Sequence, residues 1–170
     1  AIMLEQFGKA QSALDEIEAA IEGIRSASSL PIAATMTFDT RSRTMMGVKP
    51  VQALEALHGW GIRVIGANCG NGPDETERVI GEMAAVKPAD VYLIAQSNAG
   101  LPKYLDKKIS YDGTPEVMAG YALKMKGLGI NYIGACCGST PAHIAAKSES
   151  SSSSIVNTMI PVWGRVCRIR

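Results

Sequence analysis

Five short apolar runs, separated by segments with helical periodicity, constrain the fold of this chain more than any other feature of its sequence. The runs begin at intervals of roughly 30 to 40 residues, which is typical of repeated strand–helix units. Strands that alternate with helices form a parallel sheet, and such strands are apolar almost throughout. An open doubly wound sheet and a closed barrel both fit this pattern. The predicted strands are Ala1–Glu5, Pro31–Thr37, Ile62–Asn68, Asp90–Gln96 and Ile130–Cys136.

The segments between these runs carry the signals of helices. In the first segment, apolar residues recur at the i, i+3, i+4 and i+7 positions that form one helix face. Later segments begin with first-turn signals, since Pro73 is followed by two acidic residues and Thr114 precedes Pro115. The apolar face of the first predicted helix contains Ala10, Ala13, Leu14, Ile17, Ala20, Ile21 and Ile24.

Composition and charge restrict the classes of function. The chain has 170 residues, of which 46% are hydrophobic, and a net charge of +1, which fits one globular domain. A near-neutral charge gives no electrostatic argument for binding nucleic acid or an acidic membrane surface. No apolar run approaches the roughly 18 residues of a membrane span, and the first residues lack the basic start of a signal peptide. We therefore expect a cytoplasmic protein that binds a small molecule, without nucleic acid or membrane partners.

Two ten-residue segments, at 61–70 and 129–138, resemble each other. Each copy contains a predicted strand, has a cysteine near the end of that strand, and is followed by a proline that starts a helix. Two strands of one sheet therefore end in the same way, as expected for the repeated units of a barrel. Two similar tight turns that need glycine would also produce part of this likeness.

Three of the four cysteines fall at predicted carboxyl ends of strands, which form the functional face of parallel α/β folds. Cys69, Cys136 and Cys137 offer three thiolates, a set that suits zinc and leaves its fourth position open. A substrate thiol in that position would lose its proton and become a nucleophile toward an electrophilic carbon such as a methyl group. The residues alone leave two alternatives open, namely a structural role for the cysteines or a redox pair formed by Cys136 and Cys137.

The segment from Lys147 onward differs in composition from the rest of the chain. A run of serines interrupted by one glutamate occupies 148–154, and such a low-complexity segment is typical of disorder or a linker. We divide the chain into a domain at 1–146 and a tail at 147–170, which we expect to be disordered or foreign to the domain. Cys167 lies in this tail and matches no motif.

Both cysteine motifs resemble those of the homocysteine S-methyltransferase family. They read Gly66-Ala-Asn-Cys69-Gly-Asn-Gly-Pro73 and Gly134-Ala-Cys-Cys137-Gly-Ser-Thr-Pro-Ala-His143. The family includes betaine–homocysteine methyltransferase and the homocysteine module of cobalamin-dependent methionine synthase. The run Asn98-Ala-Gly-Leu-Pro102 is most similar to the methionine synthase branch.

The resemblance covers about residues 1–144 and implies a (β/α)8 TIM-type barrel, of which the five strands here are strands four to eight. It implies one zinc ion held by the three motif cysteines, and zinc-dependent methyl transfer to the thiol of homocysteine to form methionine. The branch resemblance favours methylcobalamin as donor, with methyltetrahydrofolate to recharge it, both carried on other modules. Betaine or S-methylmethionine would use the same zinc site, so the donor stays open. Glu5 matches a family glutamate that holds the substrate amino group, and Asn68 and Asn98 are candidate substrate-binding residues.

The chain also departs from the family pattern. A full barrel needs roughly 250 residues, and the first three strand–helix units of the family are absent from this sequence. The chain begins directly in an apolar run, Ala1–Leu4, which we interpret as the start of a fragment. An inactive zinc-binding fragment that needs its missing N-terminal half as a partner is therefore an alternative to an active methyltransferase.

Overall fold

Strands and helices alternate along most of the chain. A computed structural model describes residues 2–6, 13–39, 41–105, 108–150, 155–156 and 167–169, with side chains over 14–39, 41–104 and 108–150. The helices are α1 (Ala13–Ala27), α2 (Pro50–Gly59), α3 (Pro73–Val86), α4 (Pro115–Gly127) and α5 (Pro141–Ser150). The strands are β1 (Ile2–Gln6), β2 (Ile32–Thr37), β3 (Val64–Cys69), β4 (Tyr92–Ser97), β5 (Lys103–Leu105), β6 (Lys108–Ser110), β7 (Tyr132–Ile133), β8 (Ile155–Val156) and β9 (Cys167–Ile169).

Local sequence signals set where the helices begin. Helices α2 to α5 each have a proline as their first residue, a position where the missing N–H costs nothing and the fixed φ favours the helix. Ahead of α4, the Thr114 side chain accepts a hydrogen bond from the Val117 N–H. Asp74 and Glu75 lie in the first turn of α3, where negative charge is favourable. The predicted helix starts are therefore confirmed.

The main sheet has the order β1-β2-β3-β4-β7-β9-β8. Its first five members are parallel and follow chain order, so the predicted α/β class with a parallel sheet is confirmed. The predicted strand at 130–136 is regular only over Tyr132–Ile133. Its pairing with β4 nevertheless continues, because the Gly134 N–H bonds the Ala95 carbonyl at 2.8 Å and the Cys136 N–H bonds the Ser97 carbonyl at 3.1 Å.

One face of the sheet packs against the helices. Alternate residues of the parallel strands point to the same side, and on this side they join one hydrophobic core with α1, α2, α3 and α4. Neighbouring helices contact each other in chain order from α1 to α5. The strand residues of this core include Ala34, Met36, Ile65, Ala67, Leu93, Ala95 and Ile133.

The opposite face of the sheet is more polar. Thr37, Asn68 and Gln96 are paired in register across β2, β3 and β4, so their side chains share this face near the carboxyl ends of the strands. Asn68 and Gln96 are buried, and Thr37 accepts a hydrogen bond from the Asn68 side-chain amide at 3.3 Å. Buried amides at strand ends cost free energy unless they are hydrogen-bonded, which directs attention to this edge of the sheet.

Two parts of the fold were not predicted. Strands β5 and β6 form an antiparallel hairpin between β4 and α4, where no strand was predicted. Its Tyr104 and Ile109 side chains are exposed. At the carboxyl end, α5 continues to Ser150, past the predicted domain boundary at 146. The backbone of β9 pairs antiparallel with β7, while 151–154, 157–166 and 170 lie outside the described residues.

Among the described residues, every helix is too short or too polar to pass through a lipid bilayer. The cytoplasmic location expected from the sequence stays a prediction.

Candidate metal centre

The three cysteines predicted as metal ligands lie together above the carboxyl end of β4. Cys69 is the last residue of β3, and Cys136 and Cys137 follow β7. Strand β4 lies between β3 and β7, so the two cysteine segments must lean toward each other to meet. The Cα atoms of Cys69 and Cys136 are only 5.5 Å apart, which shows that the two segments meet.

Left-handed backbone conformations turn the first cysteine segment. Cys69 has a φ of 56° and Gly70 a φ of 68°. A non-glycine residue in this region is uncommon, costs of order 1–3 kcal/mol, and is often found at functional sites. The strain at Cys69 is therefore a second sign, besides its position, that this strand end serves a function.

The sulfur atoms of Cys69, Cys136 and Cys137 all lie within 4.8 Å of one another. Cys69 and Cys136 are in disulfide contact, and Cys137 is the free, exposed thiol. Sulfur ligands at about 2.3 Å from a tetrahedral zinc ion lie about 3.8 Å apart. The Cys69 and Cys136 sulfurs are closer together than this, so the pair must be reduced and must separate before zinc can bind. Burial decreases from Cys69 to the exposed Cys137. Three thiolates are a donor set that fits zinc, with the open side facing solvent at Cys137.

The second cysteine segment is held by a tight turn and an aromatic ring. Gly138 has a φ of 80°, and a side chain at this position would overlap the ring of Tyr111. The Cys137 carbonyl accepts a hydrogen bond from the Ala99 N–H at 2.9 Å. Glycine is thus required beside Cys137 both for conformation and for space.

His143 fixes the start of α5 behind this turn. Its ring Nδ1 accepts the Thr140 N–H at 3.0 Å, and its Nε2 lies 2.8 Å from the Gly113 carbonyl oxygen. These bonds occupy both ring nitrogens: Nδ1 accepts, so Nε2 carries the hydrogen and donates a hydrogen bond to that carbonyl. His143 was not predicted as a metal ligand, and the cluster of metal-ligating side chains found among the described residues contains only the cysteines.

Glu75 ties the first cysteine segment to the loop after β2. Its carboxylate accepts the Ser42 N–H at 2.9 Å and the Asn71 N–H at 3.2 Å, and the side chain is buried. The Asn71 side chain donates to the Asp39 carbonyl at 2.7 Å. The sequence predicted Glu75 only as a first-turn residue of α3, because nothing local signals a contact with residue 42.

The predicted substrate-binding residues have different surroundings. Asn68 is buried beside Cys69, and its Oδ1 has no hydrogen-bond partner among the described residues. Asn98 is buried between the two cysteine segments and contacts both. Glu5 pairs with Thr35 through the backbone of β1, but its side chain lies outside the described residues.

Two buried polar residues were missed in the sequence. Gln96 pairs in register with Asn68, and its Oε1 also has no partner in the described part of the chain. A glutamine inside an otherwise apolar strand was the signal that could have found it. Lys147, the first residue of the predicted tail, is instead buried; its Nζ donates to the Gly134 carbonyl at 2.8 Å and lies over the Tyr121 ring. Burial raises the pKa of Tyr121 above its usual range.

The family comparison agrees with this geometry. The model of the family described as homocysteine S-methyltransferase matches residues 8–150. The chain belongs to the homocysteine S-methyltransferase family. The match includes all three clustered cysteines and the strands and helices that carry them.

Two methionine synthases are similar to this homocysteine S-methyltransferase family member. The enzyme of Mycobacterium tuberculosis is 31% identical over 138 residues, which cover 76% of this chain and 11% of that protein. The enzyme of Mycobacterium leprae is 30% identical over 138 residues, with the same coverage. The chain thus spans about a tenth of the length of these curated relatives.

Proposed function

We propose that this chain carries the zinc-binding strands of a (β/α)8 barrel that transfers a methyl group to the thiol of homocysteine, forming methionine. The observation that carries the proposal is the meeting of three cysteine sulfurs, from two separate strand ends, within 4.8 Å. Membership of the homocysteine S-methyltransferase family supplies the substrate class.

The arrangement of strands and helices supports the barrel. In a doubly wound sheet the strand order reverses and helices cover both faces. Here β1, β2, β3, β4 and β7 follow chain order in the sheet, and four of the helices share one core on one face. This is how part of a barrel wall is built, and the five strands would be its strands four to eight. The N-terminal half of such a barrel would be the partner of the β1 edge.

The cysteines would hold zinc through three thiolates. When bound, zinc would act as a Lewis acid that lowers the pKa of a substrate thiol and so favours the thiolate near neutral pH. Cys137 lies on the exposed side of the cluster, where a substrate could approach. Cys69 and Cys136 lie deeper and would anchor the site to the sheet.

The reaction would form one S–CH3 bond and break the bond between the methyl group and its donor, while the thiol proton passes to solvent. We propose methylcobalamin as the donor, recharged from methyltetrahydrofolate, with both held on other modules. The similarity to proteins named methionine synthase supports this donor over betaine or S-methylmethionine. Methionine formation with each donor in turn would discriminate among the three.

The polar face beneath the cysteines suits the amino-acid end of the substrate. Asn68 Oδ1 and Gln96 Oε1 are buried acceptors without partners among the described residues, and leaving such groups unpaired costs about 1–3 kcal/mol each. A substrate donor or a water molecule would satisfy them. We therefore keep Asn68 as a substrate-binding residue, together with Glu5, whose backbone pairs with Thr35.

Homocysteine binding tests the proposal. We expect homocysteine to bind the zinc-loaded chain at pH 7 with release of about one proton, because a free thiol with a pKa of about 8.5 is protonated there. Isothermal titration in two buffers of different ionisation enthalpy measures the proton count. Methionine is the matched control, since it has the same amino-acid end and no thiol, and should release no proton. Equal binding of the two compounds without proton release would contradict the proposal.

One contact favours a second candidate function, in thiol redox chemistry. The sequence suggested Cys136 and Cys137 as the redox pair, whereas the contact joins Cys69 to Cys136. The two functions differ in how their thiols react with alkylating agents and oxidants. A metal site keeps all three reduced and protected from alkylation until a chelator is added, whereas a redox site loses two thiols on mild oxidation and regains them with a reductant.

A further inference from the structure

We propose that Asn98 is a positioning residue that sets the separation of the two cysteine segments, and so the affinity of the site for zinc. This inference rests on the proposed function, because it assigns Asn98 a part in building the metal site. It differs from the sequence expectation, in which Asn98 contacts the substrate.

The Asn98 side chain bonds both cysteine segments at once. Its Nδ2 donates to the Gly70 carbonyl at 2.8 Å, and its Oδ1 accepts the Cys137 N–H at 3.1 Å. Gly70 follows Cys69 directly, so one planar amide connects the neighbour of the first ligand to the third ligand. The side chain is buried, with only 8% of the residue exposed, and bonds of this kind are expensive to lose because the groups left behind are cut off from water.

Backbone bonds around Asn98 hold it in this place. The Asn98 N–H lies 3.4 Å from the Cys69 carbonyl oxygen, and the Ser97 carbonyl accepts the Cys136 N–H at 3.1 Å. The Ala99 N–H donates to the Cys137 carbonyl. Any residue at position 98 could keep these backbone bonds. The side-chain bridge is different, because it requires a donor and an acceptor on one short planar group, which only asparagine offers at this length.

The bridge would act on the metal through its ligands. Cysteine sulfurs must stay near the spacing of a tetrahedron, and here they come from segments on either side of β4. Without the amide, the Gly70 carbonyl and the Cys137 N–H lose their shared partner and the segments can separate. Partners that orient metal ligands typically contribute 10–100-fold to metal affinity.

Asn131 provides a matched control within the same pair of strands. Its side-chain Oδ1 accepts the Leu93 N–H at 2.9 Å, so it also bridges β4 and the start of β7 through an amide. This bridge lies at the amino ends of the strands, away from the cysteines. Asn131→Ala should therefore lower stability, through the loss of one side-chain bond, without affecting the metal.

The test is the zinc affinity of the reduced full chain, measured by competition with a chromophoric chelator. We expect Asn98→Ala to weaken zinc binding 10–100-fold, and Asn131→Ala to leave it within about threefold of the parent chain. Asn98→Asp keeps the shape and the acceptor toward the Cys137 N–H but loses the donor toward the Gly70 carbonyl, and should also weaken zinc binding; it serves if Asn98→Ala does not fold. With Co(II) in place of zinc, the absorption spectrum of the Asn98 variant should change, while that of the Asn131 variant should not.

Three outcomes would overturn the positioning role of Asn98. Parent-like zinc affinity in folded Asn98→Ala or Asn98→Asp would overturn the positioning role and leave the proposed function standing. Equal losses in the Asn98 and Asn131 variants would also overturn it, since only general stability would then be at work. A parent chain that binds no zinc would overturn the metal site itself, and this inference with it.

Discussion

Gly66→Ala is expected to destabilise the sheet by about 3 kcal/mol or more, a large part of the 5–15 kcal/mol that holds a typical domain together. Gly66 pairs with Ile94 in the centre of the sheet. A Cβ at this position would overlap the Ile94 carbonyl oxygen and lie 2.7 Å from its carbonyl carbon. These are backbone atoms of a paired strand, so relief requires β3 and β4 to separate.

Thermal unfolding followed by circular dichroism measures this effect. Gly120→Ala is the control, because Gly120 lies inside α4 and a Cβ there meets nothing within 4 Å. Alanine at that position should stabilise the chain by roughly 0.5–1 kcal/mol, since glycine is the poorer helix former. An unchanged Tm in Gly66→Ala would mean that the β3–β4 pairing is not as described.

Cys137→Ser is expected to remove zinc almost completely while leaving the fold intact. Serine keeps the size of the side chain but replaces the soft sulfur ligand that zinc prefers in such sites. Cys137 is exposed and lies in a turn, so the hydrophobic core does not depend on it. Elemental analysis of protein purified under reducing conditions should give about one zinc per parent chain and close to none in the variant.

Cys167→Ser is the control for this loss. Cys167 lies beyond the part of the chain that matches the family, and its replacement should leave the zinc content unchanged. Full zinc content in Cys137→Ser would remove Cys137 from the ligand set and favour the redox interpretation of Cys69 and Cys136.

The sequence predicted the main architecture because that information is local and periodic. Strands β1 to β4 lie within two residues of their predicted positions, since apolar runs of that length bounded by turn residues have few alternatives. The convergence of Cys69 and Cys136 also followed, because parallel strands bring their carboxyl ends to one edge. Neither prediction needed knowledge of contacts between distant residues.

The hydrogen bonds between polar residues around the site could not be predicted from the sequence in this way. The bonds from Asn98 to Gly70 and Cys137 join residues 28 and 39 positions apart, and no local pattern marks them. Lys147 appeared to begin a polar tail, yet burial beside Tyr121 makes it part of the fold. The β5–β6 hairpin was missed because its strands are only three residues long, which is too short for a strand pattern to be recognised.

We propose above all that three cysteine sulfurs hold one zinc ion whose open position takes a substrate thiol. X-ray absorption at the zinc edge, on the reduced full chain, counts the sulfur neighbours directly. The account predicts three sulfur neighbours at about 2.3 Å without substrate and four after homocysteine is added. Two or fewer sulfur neighbours without substrate, or a number that homocysteine leaves unchanged, would contradict it.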